Sequence, residues 1–348
     1  MTSGQKVRER RGEAFLIGVE EHMRKSNRLK GQRVLVTGAT GFIGSHLCLR
    51  LREEGGEVHA VYRSGRPPES GDQIWWQADL ADAREVRKIM GGARPEVIFH
   101  LGSHVKGASD LEHVLPTFHS NLQSTVNLLT AATESGLPRV VLAGSMTEPD
   151  TGSGEIFPSA PYAAAKWASS GYARMFHALY NLPVVIARVF MVYGPGQKDL
   201  TKLVPYVALS LLRGESPKIT SGDRLVDWIY VSDVVEGFLA LAGQPGIEGS
   251  TTDLGSGSLV SIREVVQYIV SIVGGGKGAQ FGALPDRPME PTRLARTRET
   301  FSRIGWKPQV SLHEGLARTV DWYRAELERS LDIPIGIPSR GTGKHPAN

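Results

Sequence analysis

The run Pro161-Tyr-Ala-Ala-Ala-Lys166 sets a phenol and an ammonium four residues apart. On a helix that offset brings both side chains to one face. A positive charge beside Tyr162 favours phenolate over phenol, so its pKa is expected to fall from about 10 towards working pH, as a proton donor or acceptor requires. Tyr and Lys at this spacing also occur by chance on amphipathic helices, so the meaning of the pair rests on its surroundings. Ser145 follows the apolar run Arg139-Val-Val-Leu-Ala-Gly144. Its hydroxyl is therefore expected at the carboxyl end of a buried strand, where ligands of open α/β sheets collect.

A binding loop precedes this centre. Gly31-Gln-Arg-Val-Leu-Val-Thr-Gly38 reads as a short strand running into Gly38-Ala-Thr-Gly41-Phe-Ile-Gly44, with a helix over 45–54. Strand, glycine turn and helix let a backbone approach a pyrophosphate and aim free helix N–H groups at it. Gly38, Thr40, Gly41, Phe42, Ile43 and Gly44 are the expected contacts. The second strand ends at Tyr62-Arg63-Ser64, with Arg66 beyond, and has no acid to meet a ribose 2′-hydroxyl. Guanidinium forks and a hydroxyl suit a 2′-phosphate instead, which points to NADP(H) over NAD; a solvated basic loop is the bland alternative.

Gly38-xx-Gly41-xx-Gly44, Ser145, Tyr162-xxx-Lys166 and Tyr193-Gly-Pro-Gly-Gln197, in that order, resemble the extended short-chain dehydrogenase/reductases, and more narrowly the NAD(P)-dependent epimerase/dehydratase family that acts on nucleotide-activated sugars. The resemblance runs from about residue 31 to 324 and implies roles. Asp79, with Leu80, would hold the adenine ring, and Leu101 would line the cofactor from the fourth strand. Ser145 would bond the substrate oxygen, Tyr162 exchange the proton, and Lys166 lower the Tyr pKa and hold the nicotinamide ribose. Asp227-Trp-Ile-Tyr-Val-Ser-Asp233 and Asp253-Leu-Gly-Ser-Gly257 resemble late strand and loop signatures. A homodimer through the helix carrying Tyr162 is also implied.

Departures from the family pattern narrow the chemistry. The 4,6-dehydratases follow their Ser/Thr with an acidic pair, because eliminating water needs both an acid and a base. Met146 and Thr147 stand there, with Glu148 close enough for a shifted arrangement. Met191 replaces an Asn that contacts the sugar nucleotide, and Val226 replaces an Arg for its phosphates. Arg224 is the expected substitute, with Lys198, Lys202 and Arg287 as further candidates. Met146, Thr147, Met191, Arg224 and Arg287 thus form the expected substrate set. The basic residues after the second strand favour an NADP(H)-dependent reductase of a keto sugar. A redox-neutral epimerase or dehydratase with transient C4 oxidation is the alternative, and a non-catalytic NADP(H)-binding sensor a third.

Rival schemes fail on spacing. The ten histidines include His100 and His104, without HExxH or a Cys cluster, so no metal site is expected. Gly274-Gly-Gly-Lys-Gly278 lacks P-loop order, and Ser145 is not in GxSxG.

The positioning scaffold follows from pattern. Apolar runs at 33–37, 58–62, 97–102, 139–144 and 183–188 alternate with helical segments, which is a Rossmann-type doubly wound parallel sheet, an α/β fold with a smaller C-terminal substrate lobe. The expected division is 1–30 as a basic extension, 31–190 as the cofactor domain, 191–330 as the substrate lobe with 226–240 returning to the sheet, and 331–348 as a flexible tail. Helices are expected at 203–213 and 261–273. The chain has 348 residues, 41% hydrophobic and 22% charged, enough for one large core or two modest ones. No apolar run reaches membrane length, and a single cysteine, Cys48, excludes an internal disulfide and reads as a small buried hydrophobe. A cytoplasmic location is the expectation. The net charge of +4 suits polyanionic ligands, and nucleic acid is not expected.

Overall fold

A computed structural model describes residues 29–65, 71–149, 157–274, 278–286 and 292–331. Arg66, Arg287, nearly all of the basic extension and the tail beyond 331 lie outside the described residues.

The main sheet has seven parallel strands in the order β3-β2-β1-β4-β5-β6-β9. They are β1 (Arg33–Thr37), β2 (Glu57–Tyr62), β3 (Ile74–Gln77), β4 (Val97–His100), β5 (Arg139–Ser145), β6 (Val184–Val189) and β9 (Thr251–Leu254). Near-continuous apolar strands are what a sheet covered on both faces demands. In β1 and β4, Val34, Val36, Val97 and Phe99 point into one core, and Leu35 and Ile98 into the other. The first core is covered by α1 (Phe42–Glu53) and by α6 (Val231–Ala242). The second is covered by α2 (Ala83–Ala93), α3 (Ser124–Glu134) and α4 (Pro161–Tyr180). Phe99 of β4 meets Phe238 of α6 edge-on at 6.2 Å, a geometry worth roughly 0.5–1.5 kcal/mol beyond area burial.

The strand order reverses between β1 and β4, and the glycine turn opens at that crevice. β4 ends at His100 rather than continuing to 102, because the Thr37 hydroxyl accepts the N–H groups of Leu101 (3.1 Å) and Gly102 (3.0 Å) and pulls the chain out of the ladder. With both those donors satisfied by Thr37, its single proton goes to His100 Nδ1 at 2.7 Å. His100 is then protonated at Nε2 and donates to Thr125 Oγ1 at 3.0 Å. Burial, then the nearby Lys166 charge, hold this imidazole neutral with its pKa down at about 3.

A second sheet, β10-β8-β7, carries the smaller lobe: β7 (Met191–Tyr193), β8 (Leu225–Tyr230) and β10 (Leu259–Ser261). With α5 (Leu203–Leu212), α7 (Ile262–Val273) and α9 (Leu312–Leu331) it encloses a third core. A capping box at Ser261 and Glu264 starts α7.

The expected return of 226–240 to the sheet needs correction. Its strand half, β8, lies in the small sheet, and only its helix half, α6, packs on the main one. The strand that comes back is β9, which pairs with β6. β8 has cover on both faces, so its apolar pattern does not name its sheet: Val226, Trp228 and Tyr230 point into the third core and Ile229 into the first. Buried Asp227 fastens this junction, accepting N–H bonds from Ser256 (2.7 Å), Gly257 (3.0 Å) and Ala295 (3.0 Å). α8 (Thr297–Ile304) then returns to the main sheet, where the Thr300 hydroxyl donates to Asp253 O at 2.8 Å.

Candidate active site

The glycine turn shapes the cofactor side. Gly38 has φ +66, and a Cβ there would lie 2.8 Å from Gly102 N, so both the conformation and the approach of the two loops require glycine. Gly41 is the N-cap of α1 and offers no side-chain cap, and the first turn holds no acid. The first N–H groups of α1 are thus left for an external anion, as a dinucleotide pyrophosphate needs. Phe42 and Ile43 open the helix, with Ile43 packed on the first core and the Phe42 ring edge-on to His46 at 5.7 Å. Lys198 Nζ donates to Thr40 O at 3.2 Å, and His46 Nε2 donates to Pro195 O at 2.9 Å. These two bonds clasp the Tyr193–Lys198 turn to the glycine turn. Lys198, a candidate for substrate phosphate, therefore sits on the cofactor side.

Leu80 packs beside Gly102, and its carbonyl accepts from Asn127 Nδ2 at 2.9 Å. Asp79 lies at the carboxyl end of β3, exposed, with Oδ1 accepting from Ala81 N at 3.0 Å. Arg63 and Ser64 are exposed after β2, and Arg63 Nη1 donates to Ser120 Oγ at 3.1 Å. The described part of the expected 2′-phosphate cluster thus lies just past the carboxyl end of β2.

Ser145, Tyr162 and Lys166 come together. Ser145 is the last residue of β5, and Tyr162 and Lys166 lie in the first two turns of α4, which packs on β5. Pro161 starts that helix, where its missing N–H costs nothing. Ser145 Oγ accepts from Thr147 N at 3.2 Å and lies 2.9 Å from Thr147 Oγ1. Lys166 is buried, its Nζ donates to Ala143 O at 2.8 Å and stands 5.9 Å from the Tyr162 ring centroid.

The expected fall of the Tyr162 pKa is not what the chain alone produces. Burial dominates and pushes the phenol up to about 12; hydrogen bonding to Ser145 offsets this, the Glu148 charge adds to it, and Ser103 offsets a little more. Burial likewise depresses Lys166 to about 8, against the pull of Glu148. A desolvated ammonium tied to a carbonyl is a weak lever on a phenol in the same dry pocket.

Sequence reasoning gave Ser103 and Asn121 no side-chain role in this centre and named Glu148 only for a shifted acid arrangement. Ser103 presents a second hydroxyl to Tyr162; its Oγ is buried and has no other partner among the described residues. Asn121 grips the backbone of residue 104 with both ends of its amide, accepting from His104 N at 2.6 Å and donating to His104 O at 3.2 Å. Its own carbonyl accepts from Thr125 and from Ser169 of α4, so one buried side chain registers the β4 loop against the catalytic helix. Asn121 lies in a π-helical stretch, Phe118–Gln123, a local irregularity often found at functional sites. The third is Glu148, whose Oε1 accepts from Ser145 N at 2.7 Å. Only the Asn121 π-stretch lacked any sequence signal; Ser103 and Glu148 are polar residues beside apolar strand ends.

The substrate set is dispersed. Met146 is buried in the first core, its carbonyl accepting from Arg293 Nη1 at 3.1 Å. Thr147 supports Ser145. Met191 begins β7, paired with Trp228, between the first and third cores. Arg224 leads into β8, and its carbonyl accepts from Ile262 N at 3.0 Å. Val226 is core and unavailable to a ligand. Among the described residues no group of three or more His, Cys, Asp or Glu is placed to hold a metal ion, and no helix is long and apolar enough to cross a membrane. Cys48 is buried, which pushes its thiol pKa up to about 12.

A parallel sheet with a glycine-turn crevice and a Ser–Tyr–Lys cluster defines a Rossmann-type enzyme of the short-chain dehydrogenase/reductase kind. Residues 34–254 match the NAD dependent epimerase/dehydratase family, and the chain belongs to it. It is 34% identical over 313 residues to the UDP-glucose 4-epimerase of Mycolicibacterium smegmatis, covering 84% of this chain and 98% of that protein. The UDP-glucose 4-epimerase of Thermotoga maritima, solved with UDP-glucose, superposes with a TM-score of 0.78 at 25% identity, covering 84% of this chain and 99% of the other. That of Thermus thermophilus, solved with NAD, gives 0.74 at 29% identity over the same shares.

Proposed function

We propose that the protein is a redox-neutral nucleotide-sugar epimerase that oxidises the sugar C4 hydroxyl transiently and returns the same hydride. The observation that carries this reading is a single proton relay. Ser145 and Tyr162 share one site, while the two positions after Ser145 supply no acid: the Met146 side chain is core, and Thr147 is spent on Ser145 Oγ. One relay suffices to remove and restore a hydroxyl proton. Elimination of water needs an additional acid and base.

A nicotinamide cofactor, held by the uncapped N-terminus of α1 and the Gly38 crevice, would accept and return the hydride. The chain supplies the rest. Ser145 orients the sugar oxygen, Tyr162 takes its proton and later gives it back, and Lys166 keeps a positive charge by the phenol. Burial, outweighing the hydrogen bonds from Ser145 and Ser103, holds Tyr162 near 12, so this reading requires the loaded site to add positive charge before the phenol works near neutral pH. The Lys198 and His46 bonds across the glycine turn favour a cofactor retained between turnovers, as a redox-neutral cycle needs. Relatives acting on UDP-glucose support a UDP-sugar as substrate, with Met191 and Arg224 on its side.

A second reading rests on a different observation. The end of β2 has no acid and carries Arg63, which suits NADP(H) and a keto-sugar reductase. Incubating the purified protein with NAD⁺, NADPH and a panel of UDP-sugars and 4-keto sugars, with nicotinamide absorbance and product mass followed together, separates the two. An isomer of unchanged mass without net cofactor consumption supports the epimerase. Stoichiometric NADPH loss with a gain of two hydrogens rejects it for the reductase.

This reading includes a cytoplasmic homodimer. Leu179 and Tyr180 of α4 and Leu111, Leu115 and Phe118 on the segment packed beside it are exposed apolar side chains suited to a second copy.

A further inference from the structure

We infer that Glu148 is a positioning residue of the active centre: its buried carboxyl group holds the Ser145 backbone in place. The inference rests on the proton-relay reading above for its catalytic meaning, and on geometry for its substance.

The segment after β5 folds back on itself. Glu148 N donates to Ser145 O at 3.1 Å, and Glu148 Oε1 accepts from Ser145 N at 2.7 Å. Ser145 is thus gripped through both backbone groups by one residue, while Thr147 grips its hydroxyl. Glu148 is only 2% exposed. Space is reserved for it, since a Cβ on Gly144 would lie 2.6 Å from Oε1. A turn of this kind needs only a neutral acceptor, and an Asn or Ser at such a position satisfies an N–H without burying a charge.

Charged groups from other elements gather at the same strand end. From α4, Lys166 Nζ is bonded to Ala143 O, two residues before Ser145. From the loop before α8, Arg293 bonds the Met146 carbonyl. From β6, Arg188 stands opposite Gly144 in register and is paired with Asp253 of β9 at 3.2 Å. The Glu148 charge favours ammonium on Lys166 and phenol over phenolate on Tyr162.

Two variants separate charge from shape. Glu148→Gln keeps the length and an acceptor for Ser145 N, and removes the charge. We expect wild-type cofactor affinity within a few-fold, and a tyrosinate absorbance titration of Tyr162 (each protein minus its Tyr162→Phe counterpart, cofactor bound) displaced to lower pH by roughly half a unit or more. The kcat–pH profile should move the same way. Glu148→Asp keeps the charge but shortens the reach; its titration should stay close to wild type while kcat falls about tenfold or more as Ser145 loosens. Superposable wild-type and Gln titrations would overturn the charge role, and wild-type kcat in the Asp variant would overturn the positioning role. If Tyr162→Phe itself retains turnover, the proton-relay reading fails separately, and the absorbance titration still reports on Glu148.

Discussion

The crevice between β1 and β4 and the small lobe around β7 and β8 are built in opposite ways. The crevice is assembled from short contiguous motifs whose backbone does the binding: Gly38 against Gly102, and the uncapped start of α1. The lobe is assembled from segments far apart in the chain. There Met191, Arg224 and Val226 sit on neighbouring strands, and even a charged-looking stretch such as Asp227–Asp233 turns out to be internal fastening. Backbone recognition of a diphosphate tolerates few alternatives, whereas side-chain recognition of a sugar is rewritten by single substitutions. On the proposed reading, cofactor class is carried by the first region and substrate choice by the second.

The most damaging change expected is at the proposed proton relay. Tyr162→Phe should lower kcat by about 10³-fold or more while cofactor affinity stays within a few-fold, measured by steady-state kinetics and by cofactor titration. Retained turnover would move the proton relay elsewhere. Next is Gly38→Ala in the crevice. With φ +66 and backbone 2.8 Å from the new methyl, it should cost about 1–3 kcal/mol of stability and most of the cofactor affinity. A thermal shift with and without NAD⁺ checks both, and an unimpaired variant would show that the crevice is less rigid than described.

Lys166→Met sharpens the contrast between stability and function. Lys166 is depressed from 10.5 to about 8, so between those pH values the unfolded chain holds a proton that the folded chain has released, and stability rises with pH. Tyr162, raised from 10.0 to about 12, acts with the opposite sign: the folded chain holds the extra proton, and stability falls as pH climbs through that interval. Lys166→Met should therefore lose turnover yet be as stable as wild type or more so near pH 7, by at most about 3 kcal/mol, with the gain vanishing as pH rises past the unfolded pKa. Denaturant melts across pH test this. The smallest effect expected is at the cofactor edge: Arg63→Ala should weaken NADPH by roughly tenfold and NADH much less. Equal weakening of both would leave the 2′-phosphate to other residues.

Legibility in the sequence follows the same division. The glycine turn, β1, β2, β4, β5 and β6 and the Ser145–Tyr162–Lys166 cluster could be read because each is local or has a helical offset. β3 escaped notice because Ile74–Gln77 is a four-residue edge strand of mixed exposure. β8 was assigned to the wrong sheet because an apolar strand covered on both faces does not say which sheet it joins or which cores cover it. The Tyr162 pKa was misjudged from its partner alone, since sequence offset reveals the neighbouring charge and hides the desolvation that outweighs it. Asn121 had no side-chain role until its amide was found gripping the backbone of residue 104, and Glu148, read only for a shifted acid arrangement, is found folded back on Ser145 N.

Transient oxidation at one relay is the central claim, and isotope fate tests it most directly. A UDP-sugar deuterated at C4 is converted by the purified holoenzyme, and label is sought in the product, in the cofactor released to solution and in solvent. The account predicts an epimerised sugar that keeps its deuterium at C4, with none in free cofactor. Deuterium lost from the sugar into released cofactor or solvent would contradict it.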